Sequence, residues 1–407
     1  MADYSILTRS FWTIERLSYV PLILLFVTGF FLGTAAHRMV FYISSPVLIY
    51  GLIYFVRQGS VLFQTKSALL IGAYLGYFLV STLWSDPYDG YAVFRRMIDA
   101  VCILVFSASL ANAAFYSKFT ARSAILIAAI CAVFSVAYCL YFYGVRDLTL
   151  DRRLLGMGRY ENPIHLAGVL AMATLLLMSL KFTGDRRLQW QAALLGLIFF
   201  LVIFFSHTRS ALVAIAGCFC VLMMMQSLRV SLFLLVGGGV AAVIGYFAWG
   251  QSFSELYERG DTFRLAIWSE AISRIVEAPL VGYGISTDPA FLSDSTPHSF
   301  KSTHNMILGH LYHGGGIGLL AYLGLIGHGF YVAFSSLWKH RGTHDGCKLD
   351  ILRRFCLLSL VFSVIMGVFN FAHYMMGVHI QWLLFWVPIS LAWYLEMEEK
   401  RLKSLSV

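Results

Sequence analysis

The chain has 407 residues, of which 59% are hydrophobic and only 13% charged, too few charges to solvate the surface of a soluble protein of this length. A formal net charge of +9 raises nucleic acid as a partner, but no nucleic-acid-binding module is visible, and the excess suits membrane orientation and anionic lipid headgroups. Composition therefore excludes a soluble domain and a nucleic-acid binder, and predicts an all-α polytopic membrane protein.

Apolar runs of about 18 residues or more can cross a hydrocarbon core of about 30 Å. Twelve are found, near 17–36, 39–56, 67–84, 97–115, 123–143, 163–182, 189–206, 210–225, 230–249, 314–338, 355–374 and 377–397. Arg9 and Arg16 precede the first run, which is longer than a signal-peptide core and is followed at once by a second span, so it is read as retained. Loops on the side of the termini hold 18 of the 30 lysines and arginines, which predicts an inner-membrane protein with both termini cytoplasmic. Cys347 and Cys356 then fall on the cytoplasmic side, and the other five cysteines fall within spans. No disulfide is expected.

The loops leave no room for a soluble domain, and no internal repeat or low-complexity tract is present, so residues 1–407 read as a single transmembrane domain. Two outer segments stand apart, 144–162 and the large periplasmic loop 250–302. In the second, Leu265, Trp268, Ile272, Ile275 and Val276 recur at helical spacing with Arg264, Glu270, Arg274 and Glu277 between them. That pattern predicts an amphipathic helix in the outer interface, with Asp261 and Thr262 as candidate caps and Pro279, Gly282 and Gly284 closing it in a sharp turn.

The outer side carries arginines that the orientation rule disfavours: Arg95, Arg96, Arg146, Arg152, Arg153, Arg159, Arg209, Arg259, Arg264 and Arg274. Pairing with nearby carboxylates such as Asp147, Asp151, Glu161, Glu258 and Asp261 accounts for any one of them. Arg209 stands apart because it follows Ser206-His207-Thr208 at the outer start of a span. There the helix dipole and free N–H groups already present positive charge, so an added cation calls for an anion such as phosphate. The alternative is an arginine snorkelling to the headgroup level. Arg264 opens the amphipathic helix in the same way, and there a salt bridge or cap stands beside ligand binding.

His298, His304, His310 and His313, with Asn305 and the run Gly314–Gly316, form the densest polar cluster at the mouth of a span. A metal is the obvious rival reading. If 304–313 were one helix, nine residues would turn it by about 900° and set His304 and His313 on opposite faces, unable to share an ion. No metal and no cofactor are expected. No phosphate-binding loop of the nucleotide hydrolases, no serine-nucleophile elbow and no zinc-protease helix is present. A reaction at this face would then draw on an activated substrate, and a sugar on a polyprenyl diphosphate is the natural one.

Several motifs together resemble the O-antigen ligase and polymerase superfamily. They are Ser206-His-Thr-Arg209-Ser210, Phe263-Arg264 followed by Trp268, Pro279-Leu-Val-Gly282-Tyr-Gly284, and His304-Asn305 followed after nine residues by Gly315 and then Gly318. Asn162-Pro163 with Ala167 is similar to a further element of that family, although Ile164 and His165 depart from it and helix capping explains Asn162 and Pro163 equally well. The resemblance implies a twelve-span fold like that of the C-type glycosyltransferases and a metal-independent, inverting transfer. The polysaccharide would pass from undecaprenyl diphosphate to a sugar hydroxyl of lipid A core on the periplasmic face of a Gram-negative inner membrane. By the same resemblance Arg209 and Arg264 would hold the diphosphate and His304 would act on the acceptor hydroxyl. His313 and Asn305 would assist at the acceptor, and Arg152, Arg153 and Arg159 would meet the acceptor's phosphates. A polymerase or a protein O-oligosaccharyltransferase of the same superfamily, and more remotely a lipid or solute transporter, are the competing readings.

Overall fold

A computed structural model describes residues 19–117, 119–146, 153–182, 185–225, 263–292, 300–339 and 348–405. Among them the chain is helical, with a single β-bridge between Phe291 and Phe300. The helices are α1 (Tyr19–Thr28), α2 (Thr34–Arg57), α3 (Lys66–Val80), α4 (Gly90–Tyr116), α5 (Ala121–Cys139) and α6 (Pro163–Met178). They continue as α7 (Arg186–Phe205), α8 (Arg209–Met224), α9 (Arg264–Glu277), α10 (Met306–Lys339), α11 (Lys348–Asn370) and α12 (Val387–Leu405).

Eight of these stretches are long and apolar enough to cross a membrane, and α1 and α8 are shorter apolar helices. The expected span at 230–249 lies outside the described residues. The run at 377–397 opens as non-helical chain, passes through a π-helical turn at Trp382–Trp386 and only then becomes α12.

Polar residues at the loop ends set where helices begin. Thr65 accepts from the amide of Ala68 at 3.2 Å, Asp89 from Tyr91 at 2.9 Å, Asn162 from Ile164 at 2.9 Å and Asp185 from Arg187 at 2.9 Å. Thr120 and Ser123 make a reciprocal capping box at the start of α5. Each satisfies amides that the helix cannot bond itself. Spans α6 and α11 are the most buried, whereas α2 and α7 face mostly outward. At one end of the bundle Glu396 accepts from the amides of Lys66 and Ser67 at 2.7 and 2.9 Å and meets His328 Nε2 at 3.1 Å. This ties α3, α10 and α12 together.

At the opposite end the Pro279–Gly284 turn enters a notch in α10. Gly316 N donates to Pro279 O at 2.8 Å, Tyr283 N to Tyr312 O at 2.8 Å and Gly284 N to His313 O at 2.9 Å. The notch exists because Gly315 breaks the helical dihedrals with φ 59°. A Cβ there would lie 2.3 Å from the Leu280 backbone, and one on Gly282 (φ 66°) would lie 2.6 Å from Tyr312 O. Gly315→Ala is therefore expected to cost at least about 1–3 kcal/mol from the dihedral alone, with the clash added. Thermal unfolding of the purified variant should fall by several degrees, and an unchanged midpoint would contradict this reading.

Two expectations are corrected here. Met306, not residue 314, begins α10, so His304 precedes the helix and the assumption of one helix through 304–313 does not apply. The apolar residues expected along the loop helix also divide between two faces. Ile267 and Ala271 are buried, with Trp268 and Ile275 against them, while Leu265, Ile272 and Val276 are 65%, 52% and 72% exposed. That exposed stripe suits a helix lying at a membrane interface. The candidate caps Asp261 and Thr262 lie outside the described residues, and the helix instead starts from Phe263 with no side-chain cap.

Candidate active site

Three helices begin at the same end of the bundle from residues in the left-handed region: His207 (φ 52°) before α8, Phe263 (φ 62°) before α9 and His304 (φ 48°) before α10. Such dihedrals cost about 1–3 kcal/mol each in a non-glycine residue, persist only where the surroundings enforce them, and cluster at functional sites.

The turn before α8 is fixed from below. Ser206 Oγ donates to Ile203 O at 2.7 Å, Thr208 Oγ1 to Pro163 O at 3.3 Å, and Arg153 Nε to Ser206 O at 3.1 Å. These bonds spend the small polar residues on shape and leave Arg209 exposed at the first position of α8, where Thr208 caps nothing. Among the described residues no carboxylate pairs with Arg209. A guanidinium, free helix amides and the positive end of the dipole thus share one place, an arrangement that favours an anion.

His304 is held from two sides. Trp268 Nε1 of α9 donates to Thr303 O at 2.9 Å, and Asn305 Oδ1 accepts from the amides of Ile307 and Leu308 at 2.9 and 3.2 Å, capping α10. The half-buried imidazole lies in hydrogen-bonding reach of the Asn370 backbone, and the Arg264 charge is beside it. Burial first, and then Arg264, lowers its pKa below the ordinary histidine value. The ring is neutral at neutral pH, with one nitrogen directed to the Asn370 carbonyl and the other left to accept a proton. Asn370 Nδ2 meanwhile donates to Ser210 Oγ in the first turn of α8 at 3.1 Å. Asn370 therefore joins the Arg209 end of α8 to His304, and Arg264 approaches from α9.

The remaining candidates are placed differently. Asn305 contributes its side-chain oxygen to the cap of α10. His313 is buried, with Nδ1 3.0 Å from Gly284 O and its ring 5.2 Å from that of His373, so it ties α10 to the Pro279–Gly284 turn. Arg159 was expected on an exposed loop, and the structure corrects this. It is 5% exposed and donates to His37 Nδ1 at 3.0 Å and to Val378 O, because its turn folds back against α2 and the chain after α11. Arg153 braces the α8 turn. Arg152 and His298 lie outside the described residues. Arg274 follows the ordinary reading, pairing with Glu270 and donating to Pro289 O.

Sequence reasoning missed Asn370 and the segment 371–381, which it divided between two spans. Trp382 Nε1 and Trp386 Nε1 donate to Met376 O and Tyr374 O at 2.9 and 3.0 Å, and Arg96 donates to Met375 O at 3.1 Å. The available signal was polar: Asn370, His373, His379 and Gln381 fall within twelve positions of otherwise apolar sequence.

Residues 192–323 match the family model described as O-antigen ligase. Over 403 residues the chain is 26% identical to the O-antigen ligase of Pseudomonas aeruginosa strain PAO1, an alignment covering 97% of this chain and 90% of that protein. Arg209, Arg264, His304, Asn305 and His313 all fall in the matched stretch, so this membrane chain carries an O-antigen ligase family domain at residues 192–323.

Proposed function

We propose that the chain joins a polysaccharide carried on undecaprenyl diphosphate to a sugar hydroxyl of lipid A core, on the periplasmic face of the inner membrane. The observation that carries this reading is the convergence at Asn370, whose side chain holds the first turn of α8 and whose backbone faces His304. His304 takes the proton from the acceptor hydroxyl as its oxygen bonds to the anomeric carbon of the donor sugar. The bond from that carbon to the diphosphate breaks, and Arg209 and Arg264 receive the charge that develops on the leaving diphosphate. Direct displacement inverts the anomeric centre. The transfer proceeds without a metal, because the Arg264 guanidinium beside His304 repels a cation and favours an anion. His313 and Asn305 position the acceptor side, and Arg152 and Arg153 are assigned to the phosphates of lipid A core.

The test is a reconstituted assay with lipid-linked polysaccharide and lipid A core in the presence of a chelator and without nucleotide. Joined product is expected. Loss of joining on chelation alone would overturn the metal-free chemistry.

The same reading sets the orientation, with both termini and Cys347 cytoplasmic and residues 250–302 periplasmic. Cys347 lies outside the described residues, so the expectation rests on the distribution of lysine and arginine. An impermeant thiol reagent should label Cys347 only after spheroplasts are lysed. Strong labelling of intact spheroplasts would reverse the orientation.

A further inference from the structure

The chain leaves α11 at Asn370 and crosses 371–379 without helix before the turn that leads into α12, yet this stretch does not lie on the surface. Arg96 and Asp99 of α4, which hold it, stand six and nine positions past the helix start at Gly90, or about 9 and 14 Å along the axis. Irregular backbone at such depth in a membrane protein needs partners for its polar groups, and it occurs where it is buried in protein or lines a polar cavity. Side chains supply the partners here. Trp386, Arg96, Trp382 and Arg159 donate to the carbonyls of Tyr374, Met375, Met376 and Val378. Asp99 is in hydrogen-bonding reach of the Gly377 amide, and the Tyr374 amide donates to Tyr74 OH at 3.4 Å. A Cβ on Gly309 would fall on the Ala372 carbonyl, so α10 touches the same chain directly.

On this pinned chain His373 is left over. Its Nδ1 is buried and has no hydrogen-bond partner among the described residues, although the carbonyls of the next three residues are all bonded. An unpaired buried nitrogen is unfavourable and calls for an explanation. The ring stands edge-on to that of His313, 5.2 Å away, and Arg96 is within electrostatic range of both imidazoles. Arg96 itself is engaged by Asp99 at 3.4 Å and Met375 O at 3.1 Å. At neutral pH an imidazole beside a guanidinium is uncharged. One nitrogen then donates and the other accepts, which matches a sugar hydroxyl and not a phosphate.

The direction of the chain says which sugar. Asn370, three residues earlier, bonds Ser210 in the first turn of α8 through its side chain and faces His304 with its backbone. Helix α8 packs on α6, α7 and α11, whereas α4 packs on α2, α3 and α12. From Asn370 to His373 the chain therefore leads from the Arg209 end of α8, past His304, to the α4 side of the bundle. In a direct displacement the attacking hydroxyl approaches the anomeric carbon from the side opposite the leaving diphosphate. His373 stands on that far side, where the acceptor arrives.

We infer that His373 is an acceptor-binding residue, whose ring hydrogen-bonds a second hydroxyl of the acceptor sugar while His304 takes the proton from the attacking one. The rigid chain on which it stands, held by Arg96 and Asp99, fixes the ring before the acceptor arrives. The assignment rests on the proposed transfer and adds to it the residue that recognises the acceptor. His373 makes no bond to the donor, so it acts on the KM for the acceptor and not on donor affinity.

The test is the reconstituted reaction on the full chain with lipid-linked polysaccharide and lipid A core varied separately, together with thermal unfolding, for wild type, His373→Leu and His373→Gln. Leucine keeps much of the volume and removes an unpaired nitrogen, so the leucine variant should unfold no lower than wild type. Its KM for lipid A core should rise about tenfold while its KM for the lipid-linked polysaccharide is unchanged. Glutamine can still donate and accept, and should restore part of the acceptor KM. A histidine that served only the fold would give the opposite pattern, a lower unfolding midpoint with the acceptor KM unchanged. While the wild type joins its substrates, any one of four results would overturn the assignment: a lower midpoint in the leucine variant, an unchanged acceptor KM, an equal rise in the donor KM, or a glutamine variant no better than leucine. A wild type that joins nothing would remove the transfer reading itself, and the assignment with it.

Discussion

Replacing His304 by alanine is expected to lower turnover by about a hundredfold or more while donor binding persists. A sugar hydroxyl is a poor nucleophile near neutral pH, so the positioned base matters most as the new bond forms. The same histidine sets a pH dependence. Burial and Arg264 hold its pKa below the usual value, which is about 6.5 for an unperturbed histidine. The base is therefore competent at neutral pH and lost only as pH falls through the lowered value. The acid limb of kcat/KM, which reports the free enzyme, should lie below pH 6.5 and disappear in His304→Ala. Near-normal turnover in the alanine variant would remove His304 as the base. An acid limb above pH 7 would contradict the environment described for it.

Arg209→Lys and Arg264→Lys are each expected to reduce kcat/KM by about ten- to a hundredfold in protein that remains folded. Lysine keeps the charge, so a purely electrostatic role would survive the change. What it loses is the planar fork that meets two diphosphate oxygens at once, and charge-assisted bonds of this kind are worth about 1.5–3 kcal/mol. The two variants are expected to differ in one respect. Arg264 also lowers the pKa of His304 and Arg209 carries no such coupling. Replacing Arg264 by glutamine should therefore move the acid limb upward, whereas Arg209→Gln should leave it in place. Either lysine variant with near-normal kcat/KM and donor affinity would make that arginine structural.

The parts of this molecule that follow local rules are legible in its sequence. Long apolar runs gave most of the spans because a helix is the chain's way of bonding its own backbone in lipid. Asn162 with Pro163 marked a helix start that the structure contains. That Arg209 opens a helix was also legible, since an apolar run begins directly after it. What escaped depends on tertiary contact. Arg159 looks like any loop arginine until its turn is seen folded against His37 and Val378. A helix through 304–313 stayed possible in the sequence because periodicity cannot show that the chain turns left-handed two residues before Met306. Asn370 ends a span in sequence, and only packing of α11 on α8 gives it the Ser210 contact. The hydrophobic period marked the helix Arg264–Glu277 but grouped Leu265, Trp268, Ile272, Ile275 and Val276 together, whereas Leu265, Ile272 and Val276 are exposed and Trp268 and Ile275 pack against buried Ile267 and Ala271.

The most direct test of the account is to follow both products of one turnover in the reconstituted system. If the anomeric carbon is displaced from a diphosphate held by Arg209 and Arg264, each joined glycan should release one undecaprenyl diphosphate, and the new linkage should have inverted configuration. Release of undecaprenyl monophosphate, retention of configuration, or joined product that forms without release of the lipid diphosphate would contradict it.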